Sequence, residues 1–308
     1  MNRDAAPAEA ARVLAELGEV VFGKPEQLKL ALACLLARGH LLIEDIPGVG
    51  KTTLALALAR ILGLAYQRIQ FTSDLLPSDV LGVSIYQRDR SEFRFQPGPI
   101  FAQLVLADEI NRASPKTQSA LLEAMEERQV TVDGATRPLP APFFVIATLN
   151  PREQVGTFPL PESQLDRFLM RLSLGYPSAD DERRLLAARD RRNLIADLGP
   201  ALDANRLQAL QAHAAAVRTT APLLEYILSL VRASRAHAGI RTGLSPRAGL
   251  ALRRAAQAWA LVSGREGVIP DDVQAVFVAV AGHRLTGTEG TDNGAALAAS
   301  LLDAVAIP

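Results

Sequence analysis

A glycine-rich turn carries residues whose types and spacing suit phosphate binding. The turn, residues 47–53, follows the apolar run Leu41–Ile43 and precedes a helical pattern over 54–62. A strand that ends at such a turn and re-emerges as a helix leaves several backbone N–H groups to form an anion-binding nest. Lys51 can reach the β and γ phosphates of ATP, and the hydroxyl of Thr52 can bind Mg²⁺. The predicted nucleotide-binding residues of the turn are Pro47, Gly48, Val49, Gly50, Lys51, Thr52 and Thr53.

One position departs from the usual phosphate-loop pattern. That pattern, G-x-x-x-x-G-K-[ST], begins with glycine, where this sequence has Asp45. On the turn alone, an ordinary strand–turn–helix with an exposed lysine stays open as the alternative. The decision therefore depends on whether the chain carries the second half of an ATP site.

An acidic pair at the end of another apolar run supplies that second half. Asp108 and Glu109 follow the run Leu104–Ala107. Ligands bind outside the carboxyl ends of the strands in open α/β sheets. We therefore expect Asp108 to hold Mg²⁺ through water, and Glu109 to orient and deprotonate the water that attacks ATP. A solvated acidic pair is the alternative, but both motifs occur in the expected order, which favours ATP binding.

Phosphoryl transfer also needs polar and cationic groups near the γ phosphate. Asn150 follows the strand pattern 143–148 and could orient the attacking water, or it is a turn residue before proline. Arg167 could form a surface ion pair with Asp166, or act as a finger that reaches a neighbouring subunit's nucleotide. Arg247 follows the natural N-cap Ser245 and could swing over the phosphates when the domain closes, or it is a solvated helix residue.

The elements that position these residues alternate between strands and helices. The first helical patterns cover about 8–17 and the segment that begins at Pro25. This alternation predicts an α/β fold with a mostly parallel sheet covered by helices on both faces. The predicted strands are Leu41–Ile43, Tyr66–Phe71, Leu104–Ala107, Phe143–Thr148 and Leu169–Leu174.

Two intervals and the C-terminal part of the chain depart from this alternation. Pro77–Pro97 and Gln129–Pro142 have the patterns of hairpins, and the second contains the favoured turn Asp133-Gly134. After Pro177, helical spacing of Ala, Leu and Arg dominates. We therefore predict a nucleotide-binding core over residues 1–177 and a smaller all-helical domain over 178–308.

The composition gives no sign of a nucleic-acid or membrane partner. Lys plus Arg and Asp plus Glu number 33 each, so the formal net charge is zero. The apolar stretch Leu28–Ile43 is interrupted by charged residues and is too short to span a bilayer. The first fourteen residues lack the pattern of a signal peptide, and Cys34 has no second cysteine to pair with. We expect a cytoplasmic protein with no membrane span.

Five motifs follow one another along the chain: IEDIPGVGKTT, LVLADEINRASPKTQSALLEAMEERQVTV, FFVIATLNP, LPESQLDRF and LSPRA. In this order they resemble the MoxR family of AAA+ ATPases. The resemblance runs from about Val20 to Leu285 and includes an acidic residue at position 45 before the phosphate turn. It is most specific in the second motif, which begins in the strand of Asp108.

The resemblance implies a role for each candidate residue. Lys51 and Thr52 match the Walker A lysine and threonine, and Asp108 and Glu109 match the Walker B pair. The hairpin intervals match the helix-two insert and the hairpin before the first sensor. The implied catalytic residues are Glu109, Asn150 as the first sensor, Arg167 as an arginine finger acting in trans, and Arg247 as the second sensor. Arg112 lies where related branches sometimes carry another trans-acting arginine.

The resemblance also implies partners. It predicts a homo-oligomeric ring, usually a hexamer, that uses ATP and Mg²⁺ to remodel or activate client proteins as a chaperone does. Partners with von Willebrand factor A domains are implied as well, sometimes during metal-cofactor insertion. A trans finger needs a head-to-tail interface, and closing such an interface makes a ring.

Three other functions stay open. An AAA+ motor or regulator acting on nucleic acid would use the same core, and the first hairpin does hold Tyr86, Phe93 and neighbouring arginines. Zero net charge and the absence of a recognisable DNA-binding module speak against it. A small-molecule kinase is disfavoured by the arginine positions and the helical second domain. A magnesium-chelatase-like motor subunit is separated from the first interpretation only by family likeness.

Overall fold

The computed structural model describes residues 5–151, 156–187, 191–288 and 293–307. Residues 1–4 of the N-terminal segment examined above lie outside this description. The helices are α1 (Ala5–Val20), α2 (Pro25–Leu36), α3 (Lys51–Ile61), α4 (Pro77–Leu81), α5 (Pro115–Glu127), α6 (Glu162–Leu165), α7 (Ala179–Ala187), α8 (Arg191–Asp197), α9 (Ala204–Ala216), α10 (Ala221–Ala236), α11 (Pro246–Val262), α12 (Pro270–Ala281) and α13 (Gly294–Ala304). The strands are β1 (Leu41–Glu44), β2 (Tyr66–Gln70), β3 (Gly82–Gln87), β4 (Glu92–Pro97), β5 (Leu104–Asp108), β6 (Gln129–Val132), β7 (Ala135–Pro138), β8 (Phe144–Leu149), β9 (Met170–Leu172), β10 (Ile240–Thr242) and β11 (Thr286–Gly287).

The central sheet is parallel and has five strands in the order β2-β5-β8-β1-β9. Because side chains alternate along a strand, its two faces belong to two different cores. One core contains Leu42, Val105, Ala107, Val145 and Ala147. The other contains Leu41, Ile43, Leu104, Leu106, Phe144 and Ile146. Both faces are covered, so the predicted α/β architecture is confirmed.

The strand order places the chemical motifs at one edge of the sheet. β1 lies between β8 and β9, and β5 lies on the far side of β8. All five strands are parallel, so their carboxyl ends lie at the same edge of the sheet. This edge therefore carries the turn after β1, the acidic pair at the end of β5 and Asn150 after β8. This edge is where open α/β sheets bind their ligands.

Both predicted hairpins are present. β3 pairs with β4 and β6 pairs with β7, each antiparallel, and the short helix α4 precedes the first pair. In the second hairpin, Asp133 and Gly134 have φ of 52° and 72°. Two successive left-handed residues are what a type I′ turn requires, and Asp-Gly is a favoured sequence for it.

The C-terminal region is helical, with one correction. β10 and β11 form an antiparallel pair, so this region is not all-helical as predicted. Strands of three and two residues are too short to show an alternating pattern in the sequence. Of the helices that the structure describes, none has the length and apolarity needed to cross a membrane.

The C-terminal helices share one continuous core with the two N-terminal helices. The buried residues of α9 and α11 belong to the same cluster as those of α1 and α2. Gln211 on α9 donates a hydrogen bond to the carbonyl of Leu35 (2.9 Å), and the ammonium of Lys29 lies 4.0 Å above the ring of Trp259. This packing sets the position of α11 relative to α2. It therefore also sets the surroundings of Arg247, which lies in the first turn of α11.

His40, buried at the start of β1, is held in its neutral form. Its Nδ1 accepts a hydrogen bond from the backbone N–H of Val145 (3.0 Å), so Nε2 carries the proton and donates to the carbonyl of Met125 (3.2 Å). Burial, with a smaller contribution from the charge of Arg128, lowers the pKa of His40 to about 4. Protonation would place an N–H at Nδ1, facing the N–H of Val145.

We therefore expect the protein to lose stability as the pH falls from 6.5 toward 4. In this range the unfolded chain binds a proton at residue 40 that the folded chain does not, so the free energy of unfolding decreases with decreasing pH. The full effect of His40 is about 3 kcal/mol. Urea unfolding at several pH values measures it. His40→Asn should flatten this part of the profile, leaving the contribution of the other buried histidine, His283; an unchanged slope would contradict the assignment.

Candidate active site

The turn after β1 has the backbone conformation of an anion-binding nest. Gly48 and Gly50 have φ of 86° and 99°, a region that residues with a Cβ rarely adopt. α3 begins at Lys51, and Gly50, its N-cap residue, has no side chain to bond the first N–H groups. Backbone donors and the positive end of the helix therefore converge on the same point.

Lys51 reaches across the mouth of this turn. Its Nζ donates to the carbonyl oxygen of Asp45 at 2.5 Å and lies 3.4 Å from that of Leu149, at the end of β8. The ammonium is therefore held between the ends of two neighbouring strands, at the entrance to the nest. From this place its charge is available to an anion bound by the turn.

Asp45 stabilises the turn through its side chain. Its Oδ2 accepts hydrogen bonds from the backbone N–H groups of Leu174 and Gly175 (both 2.6 Å) and from the hydroxyl of Ser173 (3.0 Å). Its Oδ1 accepts from the N–H of Ile46 (2.8 Å), and the residue is buried. Asp45 therefore joins the phosphate turn to the segment that follows β9.

We expect Asp45→Gly, which would restore the usual phosphate-loop pattern, to lower both the stability of the protein and its affinity for nucleotide. The substitution leaves buried N–H groups without an acceptor and should lower the free energy of unfolding by about 2–4 kcal/mol. It should also weaken nucleotide binding, because the turn loses its anchor. Urea unfolding and titration with a fluorescent ATP analogue measure the two effects.

Asp133→Gly is the matched control. Asp133 occupies an exposed left-handed turn position that glycine accepts, so stability should change little. Stability and nucleotide affinity of Asp45→Gly equal to those of the unchanged protein would show that Asp45 is not an anchor.

Asp108 is buried, and its two carboxylate oxygens have different partners. Oδ1 accepts a hydrogen bond from the hydroxyl of Thr148 on β8 (2.6 Å). Oδ2 accepts from Nη2 and Nε of Arg68 on β2 (2.6 and 3.1 Å). Thr148 also accepts from the N–H of Glu109 (2.8 Å), which ties the end of β5 to β8.

Glu109 has an unusual backbone and two side-chain partners. Its φ and ψ are 57° and 49°, a left-handed conformation that costs a residue with a Cβ roughly 1–3 kcal/mol. Its Oε2 accepts a hydrogen bond from Nε2 of Gln70 (2.9 Å) and lies 3.0 Å from Nε of Arg112. The carboxylate is therefore held at the cavity by groups from β2 and from the turn after β5.

These groups surround one cavity of about 360 Å³. It unites the predicted phosphate-binding and magnesium-binding residues with the predicted base and first sensor. Val49 packs instead against the core. The residues that line the cavity are Pro47, Gly48, Gly50, Lys51, Thr52, Thr53, Arg68, Gln70, Asp108, Glu109 and Asn150.

Arg167 and Arg247 lie in a different cleft. Both contact Glu126, near the end of α5: Nη2 of Arg167 lies 3.2 Å from Oε2, and Nη2 of Arg247 donates to Oε1. Nη1 of Arg247 is also 4.0 Å from the carboxylate of Asp166. The hydrogen bond from Arg247, with the charge of Arg167, lowers the pKa of Glu126.

The predicted movement of Arg247 over the phosphates on domain closure stays a prediction. In this structure Arg247 lines the cleft of Arg167 and not the phosphate cavity. The physical reason is the docking of the C-terminal helices on α1 and α2, which places the start of α11 beside the end of α5. Arg167 forms its ion pair with Glu126 and not with Asp166, the partner in one of the two alternatives that the sequence left open.

Comparisons with known proteins agree with this geometry. Residues 40–170 match the family described as "ATPase family associated with various cellular activities (AAA)", and residues 232–301 match the AAA lid domain. The chain is 50% identical over 274 residues to the uncharacterized protein YeaC of Bacillus subtilis, covering 89% of this chain and 86% of that one. It is 41% identical over 287 residues to Chaperone MoxR1 of Mycobacterium tuberculosis, covering 89% and 74%.

The chain belongs to the MoxR family of AAA ATPases. A solved structure supports the fold of this MoxR-family chain: a candidate ATPase from Cytophaga hutchinsonii superposes with a TM-score of 0.91 at 35% identity, covering 99% of this chain and 96% of that one. The AAA match contains the phosphate turn, the acidic pair and Arg167, and the lid match contains Arg247. The cleft around Glu126 is therefore formed by both matched regions.

The donors in the phosphate cavity fit Mg²⁺ bound together with a nucleotide. Thr52 and Asp108 both line it and offer hydroxyl and carboxylate oxygens, the hard ligands that Mg²⁺ prefers. Within the described ranges, no group of three or more His, Cys, Asp or Glu side chains is placed to hold a metal ion. This donor set suits an ion that takes its remaining ligands from phosphates and water.

Three residues of this MoxR-family site could not be predicted from the sequence: Arg68, Gln70 and Thr148. Arg68 and Gln70 are two residues apart on β2, so their side chains lie on the same side of the strand. They contact Asp108 and Glu109 because Gln70 pairs in register with Asp108 on β5. Thr148 was seen only as the end of a predicted strand. A hydroxyl or an amide at the end of a strand becomes a site candidate only when the neighbouring strand is known.

Proposed function

We propose that this MoxR-family chain hydrolyses Mg-ATP and that each active site is completed by a second copy of the chain. The observation that carries the proposal is the separation of the two clefts. The phosphate cavity holds the turn, both carboxylates and Asn150, whereas Arg167 and Arg247 share another cleft with Glu126. Phosphoryl transfer needs cations at the γ phosphate, and a neighbouring copy can supply them.

In this proposal, the residues of the phosphate cavity bind and orient the substrate. The N–H groups of the glycine-rich turn and the ammonium of Lys51 hold the phosphates, while Thr52 and Asp108 hold Mg²⁺. Mg²⁺ held by these residues would supply positive charge to the β and γ phosphates. Glu109 accepts the proton of the attacking water, and Asn150 helps to orient that water.

Glu109 must leave its present partners to act as the base. Its carboxylate is engaged by Gln70, which lines the cavity, and by Arg112. Both partners engage the same oxygen, Oε2, so that oxygen can accept the proton of water only when they move. We propose that nucleotide binding and contact with a neighbour shift these partners. The resemblance made Arg112 a candidate trans-acting residue. In this structure it forms an ion pair with Glu109 of its own chain.

Arg167 and Arg247 act in this proposal as one cationic unit. Glu126 places the two guanidinium groups side by side, which suits recognition of a triphosphate. A phosphate cavity on one face and an arginine pair elsewhere require a head-to-tail interface, and closure of that interface gives a ring. We propose a hexamer, with the lid beginning near Ser178.

The work done by such a ring is proposed to be remodelling or activation of client proteins. The relative named Chaperone MoxR1 supports this choice. Partners with von Willebrand factor A domains follow from the family resemblance.

A nucleic-acid client is the second candidate, favoured by one surface. The β3–β4 hairpin exposes Tyr86 and Phe93 with ring centroids 5.2 Å apart, and Arg88, Arg90 and Arg94 lie on the same hairpin. Exposed aromatic rings among arginines suit the stacking of bases. Stimulation of hydrolysis by a single-stranded oligonucleotide, lost in Phe93→Ala, would favour this candidate over a protein client.

The proposal is tested by steady-state ATP hydrolysis measured together with the mass in solution by light scattering. We expect hydrolysis that requires Mg²⁺ and whose rate per chain rises with protein concentration as larger assemblies form. Hydrolysis at a constant rate per chain by a stable monomer would contradict the shared active site. Tight ATP binding without hydrolysis, in a verified assembly, would contradict the proposed enzymatic activity.

A further inference from the structure

An arginine of the lid is almost completely removed from solvent behind the cleft of Arg167. Arg284 follows the end of α12, and its side chain is 5% exposed. Burial lowers the pKa of this guanidinium, because removal from water disfavours its charged form. A buried cation is tolerated only when its N–H groups find strong acceptors.

Four acceptors of Arg284 lie on one short turn, while Nη1 also contacts Val280 and His283 of the lid. Its Nε donates to Oδ1 of Asp166 (2.6 Å). Its Nη2 donates to the carbonyl oxygens of Asp166 (3.1 Å) and Phe168 (2.7 Å), and its Nη1 to that of Leu169 (3.2 Å). The residues on both sides of Arg167 are therefore bonded to the same guanidinium.

Neighbouring contacts strengthen this connection between lid and core. Nε2 of His283 contacts the carbonyl oxygen of Phe168 (3.0 Å). In the opposite direction, Nη2 of Arg171 on β9 donates to the carbonyl of Gly282 (3.2 Å). Backbone and side chains from both regions take part, so a rigid junction lies between the end of α12 and the segment 166–171.

We propose that Arg284 is a positioning residue that fixes the turn Asp166–Leu169 to the lid and thereby aims Arg167 at the nucleotide of the neighbouring copy. The inference rests on the proposed function, in which Arg167 acts in trans. Arg247 is carried by the same lid and also lies near Asp166. One buried arginine thus connects both arginines of the cleft to one rigid body.

A lysine cannot replace the guanidinium in this position. A lysine ammonium has three donors at a single point, whereas Arg284 bonds four acceptors of this turn through three nitrogens in a planar fork. Arg284→Lys keeps the positive charge and loses the geometry. We expect the turn of Arg167 to shift, while the phosphate cavity of the same chain is preserved.

The first readout is the division of the effect between kcat and nucleotide binding. Arg284→Lys should lower kcat about 10- to 100-fold, the loss expected when a catalytic group is misplaced by about 1 Å. KM for ATP and the affinity for a fluorescent ATP analogue should stay near their original values, because the chain's own cavity is intact. Arg265→Lys is the matched control, since Arg265 is a lid arginine paired with buried Asp272 outside both clefts, and it should keep full activity.

The second readout uses mixed assemblies and separates positioning from a general structural role. Arg284→Lys chains mixed with Lys51→Ala chains should regain hydrolysis, because the second chain supplies an intact arginine cleft to the first chain's phosphate cavity. Mixed with Arg167→Ala chains they should regain none, because both chains then lack a working arginine cleft. A merely structural defect would prevent recovery in both mixtures.

Each remaining result has a defined meaning. Unchanged kcat in Arg284→Lys, or recovery with Arg167→Ala, would overturn the inference. Failure of the reference mixture, Arg167→Ala with Lys51→Ala, would instead overturn the proposed function. Should Arg284→Lys not fold, Asp166→Ala removes the side-chain acceptor of the same connection at a residue whose side chain is 23% exposed, and the same pattern of recovery is expected.

Discussion

The Glu109→Gln protein should bind Mg-ATP as tightly as the unchanged protein and hydrolyse it at least about 100-fold more slowly. The amide has nearly the shape of the carboxylate and can still accept the hydrogen bond from Gln70. It cannot accept a proton from water, so the loss should fall on kcat and not on KM. Single-turnover hydrolysis and titration with a fluorescent ATP analogue measure the two quantities separately.

Glu123→Gln is the control for this experiment. Glu123 is an exposed carboxylate on α5 outside the phosphate cavity, and its substitution should leave both quantities unchanged. Hydrolysis by Glu109→Gln at the original rate would remove Glu109 as the base. Loss of nucleotide binding, with hydrolysis per bound ATP unchanged, would make it a binding residue.

Local patterns explain why much of the phosphate cavity could be predicted from the sequence. The turn 47–53 and the pair Asp108-Glu109 are each contiguous in the chain and each follow an apolar run. Because parallel strands end at one edge of a sheet, recognising the strands was enough to bring these groups together. Their roles as ligands and base remain predictions that the experiments above test.

Contacts between distant segments explain what the sequence did not reveal. Arg68 and Gln70 contact the acidic pair because β2 lies beside β5, and that order is set by the whole sheet. The place of Arg247 depends on the packing of α11 against α2 and α9, which no short pattern encodes. Glu126 lies in a helical segment whose spacing gives no reason to single it out.

Arg167→Ala chains should hydrolyse ATP about 1,000-fold more slowly than the unchanged protein, the effect typical of losing an arginine finger. Binding of ATP should be kept, because the phosphate cavity of the chain is intact. Lys51→Ala chains should fail for the opposite reason: they keep the arginine cleft and lose the cavity's principal cation. Neither variant alone can form one complete site between two copies.

An equal mixture of these two variants should regain activity. One quarter of the interfaces in randomly mixed rings join an intact phosphate cavity to an intact arginine cleft, so we expect up to about a quarter of the original rate per chain. Hydrolysis is measured after assembly has been verified by light scattering and by recovery of a tag carried on one variant only. No recovery in verified mixed rings would contradict action in trans.

A mixture of Arg167→Ala with Arg247→Ala then decides which nucleotide Arg247 serves. Both arginines contact Glu126, so in the proposed function both act on the same neighbour's phosphates, and neither variant offers an intact arginine cleft. This mixture should stay inactive. If Arg247 instead closed over the nucleotide of its own chain, an Arg167→Ala chain would keep its Arg247 and receive Arg167 from the other variant. About a quarter of the sites would then be complete, and the recovered rate would equal that of the mixture with Lys51→Ala.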